Sequence, residues 1–155
     1  MKLTNTLITI LFISLLSSPS WSLTFSDLVE RDGLHYEKFT DVPFNGKVTG
    51  DKQGLFKKGK KEGAWVVYHE TGQLSSKGNY RNGKLDGAGV YYHKNGRLSS
   101  KGNWKNGKFD GDWISYYDNG KLMSKGNYKN GKEEGAWIGY LKDGTVWERF
   151  SGIFK

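Results

Sequence analysis

From Gly63 onward the chain repeats itself every 24 residues, with Gly63, Gly87, Gly111 and Gly135 opening successive copies. The copies read GAWVVYHETGQLSSKGNYRNGKLD, GAGVYYHKNGRLSSKGNWKNGKFD, GDWISYYDNGKLMSKGNYKNGKEE and GAWIGYLKDGTVWERFSGIFK. Aromatic, glycine and lysine positions recur in register while little else does. A repeat of this length means that one supersecondary unit is stacked in series, so function has to be sought on a repeated surface.

Each copy opens on residues alternating with period two. The even-numbered sets are Ala64, Val66, Tyr68; Ala88, Val90, Tyr92; Asp112, Ile114, Tyr116; and Ala136, Ile138, Tyr140. Period two predicts a strand. Asn-Gly and Asp-Gly pairs, which tolerate the positive φ of a tight hairpin, then predict a reversal. In the return strand the alternation sets Leu74, Ser76, Gly78 and Tyr80 against Ser75, Lys77 and Asn79. A second Asn-Gly turn, at 82–83, 106–107 and 130–131, leads onward. The fold class is all-β: an elongated, twisted array of antiparallel hairpins advancing about 10 Å per copy. Gly78, Gly102 and Gly126 each precede an aromatic residue by two and are expected to let a ring from a neighbouring strand lie flat.

The expected organisation is a signal peptide over 1–22, a cap and degenerate repeat over 23–62, repeats over 63–86, 87–110 and 111–134, and a partial repeat with a cap over 135–155. Lys2, the apolar run from Leu7 to Leu16, and small residues at Ser20 and Ser22 carry the first expectation, with cleavage after Ser22 and a periplasmic or secreted product. That run is too short to span a bilayer comfortably. At the front, Phe44 to Lys47 and Phe56 to Lys60 form a shortened copy, preceded by a capping hairpin around Asp32-Gly33. At the back, Trp147, Phe150, Ile153 and Phe154 read as a cap, Trp147 also being a candidate binding aromatic.

Gly-x-Trp-x-x-Tyr, then Asn-Gly-x-Leu, then Lys-Gly-x-Tyr-x-Asn-Gly-Lys resembles the bacterial variant of the MORN repeat, from about Phe44 to the C-terminus, with Gly89 in place of tryptophan in the second copy. The chain is also similar to bacterial MORN-variant proteins assigned as antitoxin components of toxin–antitoxin pairs. The resemblance implies a non-enzymatic module for scaffolding, membrane apposition or protein binding. For an exported chain, an antitoxin-like role implies a target acting in the periplasm or outside the cell.

Chemistry points the same way. There is no cysteine, which removes disulfides and thiol chemistry. His69 and His93 occupy equivalent positions, but two ligands are too few for zinc and Tyr117 and Leu141 break the series. Neither Asp110 with Asp112 nor Glu133 with Glu134 stands in a recognisable acid–base setting, and no nucleophile elbow, phosphate loop or His-Glu-x-x-His segment occurs. No catalytic residue, metal or cofactor is expected.

Two candidate surfaces follow. Trp65, Trp113 and Trp137 share a face with His69, His93 and Tyr117, where variation among copies suits a protein partner, the alternative being a second layer of core. On the other face Lys77, Lys101 and Lys125, continued by Arg81, Lys105 and Lys129, form a cationic ladder. With a net charge of +8, all but one unit of it downstream of the leader, that ladder suits anionic lipid or acidic glycan, the alternative being a solvated face that protects the sheet. Export disfavours nucleic acid as the ligand. The leading expectation is a protein-binding scaffold.

Overall fold

The computed structural model describes residues 22–147. Residues 1–21 of the expected leader, and Phe150, Ile153 and Phe154 of the expected cap, lie outside them. A 3-10 helix (Phe25–Asp27) leads into a two-stranded hairpin, β1 (Leu28–Arg31) and β2 (Leu34–Glu37). One antiparallel sheet follows in strict chain order: β3 (Gly46–Val48), β4 (Lys52–Lys57), β5 (Lys60–Tyr68), β6 (Leu74–Arg81), β7 (Lys84–Tyr92), β8 (Leu98–Lys105), β9 (Lys108–Tyr116), β10 (Leu122–Lys129), β11 (Lys132–Tyr140) and β12 (Val146–Trp147). The array of antiparallel hairpins expected from the repeat is what forms, and no α-helix occurs among the described residues.

Two turn types alternate along the ribbon. Between copies the chain reverses through pairs with both residues in the left-handed region, as at Asn82 (φ 50°) and Gly83 (φ 81°), repeated at 106–107 and 130–131. This is the I′ geometry whose twist matches that of the strands. Within copies the loop is wider. His69 N–H donates to the Gln73 carbonyl and only Gly72 is left-handed (φ 80°), so the Asn95-Gly96 and Asn119-Gly120 pairs are not I′ turns.

Register is irregular at two places per copy, and both decide which side chains share a face. Opposite the segment from Gly78 to Tyr80, β7 runs from Gly89 to Leu85, two residues more than its partner. The excess is a wide bulge around Gly87 (φ 108°), a backbone conformation that L side chains rarely adopt. The repeat's opening glycine is therefore a bulge residue. The second irregularity lies beside the within-copy loop: Val67 pairs Ser76 but Tyr68 pairs Leu74. Ser75 is the extra residue, so Leu74 joins Tyr68 on the face opposite Ser76, Gly78 and Tyr80, contrary to simple alternation.

One face of the sheet is paved with rings. Trp113 lies across Gly102 and Trp137 across Gly126, whose added Cβ would fall 2.6 and 2.2 Å from the indole atoms. Trp65 does the same over Gly54, whereas Gly78 meets Leu85 instead of a ring. The departure has a cause. The second copy has Gly89 where the others have tryptophan, and Trp104 where the first and third have tyrosine; the Trp104 ring covers Gly89, 2.6 Å from where a Cβ would stand. Rings then contact one another along the ribbon, with Phe109 against Trp104 at 4.7 Å, Trp113 at 4.8 Å and Tyr128 at 4.9 Å. The indole N–H groups of Trp65 and Trp137 donate to the Leu55 and Asn127 carbonyls at 3.2 Å, as buried indoles require.

The deepest packing lies at the N-terminal end, where Leu28, Phe44, Val48, Phe56 and Trp65 cluster and Leu23, Phe25 and Tyr80 pack against them. Phe25 meets Trp65 edge-on at 6.2 Å and Phe56 at 6.1 Å, so the 3-10 helix and hairpin close the first rung of the ring face. Complete burial of a ring such as Phe56 stabilises by about 1.5–3 kcal/mol. Lys61 stands where later copies carry Leu85, Phe109 and Glu133. Its ammonium lies 4.8, 5.1 and 5.2 Å from the rings of Trp65, Tyr80 and Phe25. Burial first, and Lys52 second, push its pKa down, against an opposing pull from Glu30.

The pairing of Gly89 with Trp104 predicts a non-additive cycle. Gly89→Trp alone drives one indole into another and should destabilise by about 1–3 kcal/mol. In Gly89→Trp/Trp104→Tyr the second copy regains the arrangement of its neighbours, with a coupling of about 1 kcal/mol or more in urea unfolding; additive losses would count against the packing described. Burial also raises the pKa values of Tyr80, Tyr91 and Tyr128. Their folded values lie above the unfolded ones, so this contribution is complete below about pH 10 and is lost as pH rises through the folded values. Lys61, with a lowered value, acts in the opposite sense but is one group against three. Stability should fall above about pH 10, followed by circular dichroism, with phenolate absorbance appearing late.

Candidate functional site: the lysine face

The opposite face is organised in rows that run across the strands. Lys77 pairs with Val66 on one side and Val90 on the other; Lys101 pairs with Val90 and Ile114; Lys125 pairs with Ile114 and Ile138. Cations and β-branched apolar residues thus alternate in a single line. Parallel to it, Asn79 pairs with Ala64, Asn103 with Ala88, and Asn127 with Asp112. On the other flank run Tyr68 with Leu74, Tyr92 with Leu98 and Tyr116 with Leu122.

Over copies two to four these rows form a groove of about 800 Å³ lined by Val90, Ile114 and Ile138 together with Lys101, Lys125, Asn103 and Asn127. Ala88, Ala136, Asp112 and Glu134 also line it. None of Lys77, Lys101 and Lys125 makes an ion pair with a described residue, and all three are exposed.

Nearer the I′ turns the same face carries opposed cations: Lys57 pairs Lys60, Arg81 pairs Lys84, Lys105 pairs Lys108 and Lys129 pairs Lys132. Like charges directly across a ladder are unfavourable. The recurring acids relieve part of this, with Asp86 3.7 Å from Arg81 and Asp110 3.7 Å from Lys129. Their principal partners are in the backbone. Glu62, Asp86 and Asp110 accept the N–H of Asn82, Asn106 and Asn130, each 20 residues on, at 2.9, 3.2 and 3.3 Å. They pin each turn to the strand of the copy before it. The stems of Lys60, Lys84 and Lys108 lie along the turn glycines Gly83, Gly107 and Gly131.

Arg81, Lys105 and Lys129 share the face of Lys77, Lys101 and Lys125, so the proposed anion-binding residues are brought together. The proposed protein-binding set is placed differently. Trp65 is 2% exposed and Trp137 9%, both within the ring layer, with Trp113 half-buried there. His69, His93 and Tyr117 act as staples. Their side chains bond the Tyr92, Tyr116 and Tyr140 carbonyls at 3.1, 2.9 and 2.8 Å, each one copy ahead. In His69 and His93 it is the Nε2–H that donates. Among the described residues no group of three His, Asp or Glu could hold a metal. Trp147 is about half exposed and rests against Gly139.

Val90, Ile114 and Ile138 stand in the opening strand pattern, but their membership of the lysine row follows only once cross-strand register is known. The alternation Val66, Val90, Ile114, Ile138 was the available signal.

Residues 61–82, 85–106 and 109–130 match the family model of the MORN repeat variant. Its unit begins just inside each I′ turn, so one matched stretch is one hairpin, as in β5 with β6. MORN repeats are in general binding and scaffold modules, typically non-catalytic, that mediate protein or membrane-lipid interactions. No curated protein matches the chain.

The staples predict a graded response at His93. His93→Ala leaves the Tyr116 carbonyl without its partner and should cost about 1 kcal/mol in urea unfolding. His93→Tyr should stay within about 0.5 kcal/mol of the parent, because Tyr117 already makes this bond from the equivalent position; equal losses in the two variants would refute the staple.

Proposed function

We propose that this chain is an exported, non-enzymatic scaffold that holds a segment of a partner protein on its lysine face. The groove over copies two to four carries the reading, because it alternates cations that pair with no described carboxylate with an apolar floor, along a line that crosses several strands. Rings on the opposite face are engaged in holding the sheet together, which leaves this surface for recognition. An immunity-like neutralisation of a partner acting in the periplasm is one form the role takes.

Anionic lipid or acidic glycan is the second reading, favoured by the opposed cations along the I′ turns. A headgroup phosphate, however, would satisfy the lysines and leave Val90, Ile114 and Ile138 uncovered. Apolar side chains of a peptide would cover them.

A photocrosslinking residue at Ile114 should yield a discrete protein adduct in the cell envelope. The adduct should disappear in Lys101→Glu/Lys125→Glu and persist when the crosslinker stands alone at Ile114 in the parent at physiological salt. Adducts indifferent to the double substitution would sink the groove, and binding to phosphatidylglycerol vesicles that vanishes between low and physiological salt would favour the second reading. Recovery of the chain only from the cytosol would remove export.

A further inference from the structure

The lysine row fixes a spacing that a partner has to match. Equivalent lysines stand two strands apart, about 9.6 Å at about 4.8 Å per strand. They share one row because Lys77, Lys101 and Lys125 each pair with the Val or Ile on both neighbouring strands. Few extended ligands repeat at that interval. A peptide in β conformation returns to the same face every ~6.7 Å, and falls out of step within one copy. Two turns of α-helix span about 10.8 Å, so the error grows by more than ~1 Å per copy.

A polyproline II segment repeats every three residues at 3.1 Å each, or about 9.3 Å. Over two intervals its mismatch with the lysine row stays under ~1 Å. The long lysine stems can absorb that difference and the twist of the sheet.

We infer that the segment held in the groove is an acidic polyproline II stretch whose Asp or Glu recurs at every third position, meeting Lys101 and Lys125 within the groove and Lys77 in the same row just beyond its end. This rests on the groove reading given above and names its partner chemistry. The flanking rows fit such a ligand. A polyproline II backbone makes no internal hydrogen bonds and needs outside partners. Asn79 and Asn127 spend their amide N–H on the Asp86 carbonyl and the Glu134 carboxylate, both at 3.1 Å, which leaves each Oδ1 to accept a peptide N–H. The Tyr92, Leu98, Tyr116 and Leu122 flank faces the intervening residues and suits proline and other apolar side chains. Asp112, standing where the other copies carry Ala64, Ala88 and Ala136, repels an acid displaced from the lysine row and so enforces the register.

The test uses synthetic peptides of one Pro, Ala, Leu and Glu composition, with glutamate at every third position, at every second position, or clustered at one end. Titration calorimetry is run at physiological salt against the parent and Lys101→Gln/Lys125→Gln, with circular dichroism confirming the sheet. The third-position peptide should bind about tenfold tighter than the other two and lose that advantage in the double variant. Equal affinities that all fall in the double variant would overturn the spacing while leaving the groove as a protein site. Absence of binding by every peptide would overturn the inference. Binding indifferent to the lysine substitutions, or confined to phosphatidylglycerol vesicles, would overturn the spacing and the groove together.

Discussion

A tryptophan can lie flat across a neighbouring strand only where that strand has no Cβ, and this exclusion governs the rest of the molecule. A sheet that is one layer thick cannot bury a face against a second sheet, so it has to cover itself. The indoles do this by folding over Gly54, Gly89, Gly102 and Gly126. The second copy shows that contact matters more than the position supplying it. Its tryptophan arrives from the return strand, at Trp104, and covers the opening strand at Gly89. Ring area is thereby preserved in a chain with only 35% apolar residues.

Ring contacts that cross from copy to copy, such as Trp113 over Gly102, are joined by ties that are polar and local. His69, His93 and Tyr117 reach forward to a carbonyl in the following copy, and Glu62, Asp86 and Asp110 reach forward to a turn N–H. Each staple spans nearly one repeat, which accounts for the rigid 24-residue period better than packing alone would: an inserted residue would misplace donor and acceptor together. Stability then accumulates by nearest neighbours along the ribbon, with the N-terminal hairpin and Phe25 closing one end.

Much of this was legible in the residues. Period-two alternation, Asn-Gly pairs and recurrent glycines specified the hairpin array. The lysine ladder and its equivalence across copies could be written down from spacing alone. Two things could not. The bulge at Gly87 places two extra residues between the pairs Gly78–Gly89 and Tyr80–Leu85, and the extra residue at Ser75 moves Leu74 to the other face; neither breaks the 24-residue count, so the period does not reveal them, although a glycine recurs at the first. Nor could spacing separate a staple from a ligand. His69 and His93 look alike in either role, and only the carbonyl opposite each ring decides. The substitution of Tyr117 for histidine was the one hint, since a phenol can replace an imidazole as a hydrogen-bond donor but not as a typical metal ligand.

The two faces end with opposite relations to sequence variation. On the ring face the loss of a tryptophan is answered by a neighbour, as Gly89 is by Trp104. On the lysine face Ala64, Ala88 and Asp112 differ without disturbing the pairing with Asn79, Asn103 and Asn127. Ring-face positions such as Val67, Tyr91, Ser115 and Gly139 differ as well, but the difference that changes the charge of the groove lies beside the lysines. Asp112 is its clearest case: a carboxylate set between two cationic rungs contributes nothing to holding the ribbon together, yet it distinguishes the third copy electrostatically from the rest. A uniform ladder would attract any polyanion in any register. One acid placed within it converts general attraction into a preference for ligands whose charges keep to the lysine row.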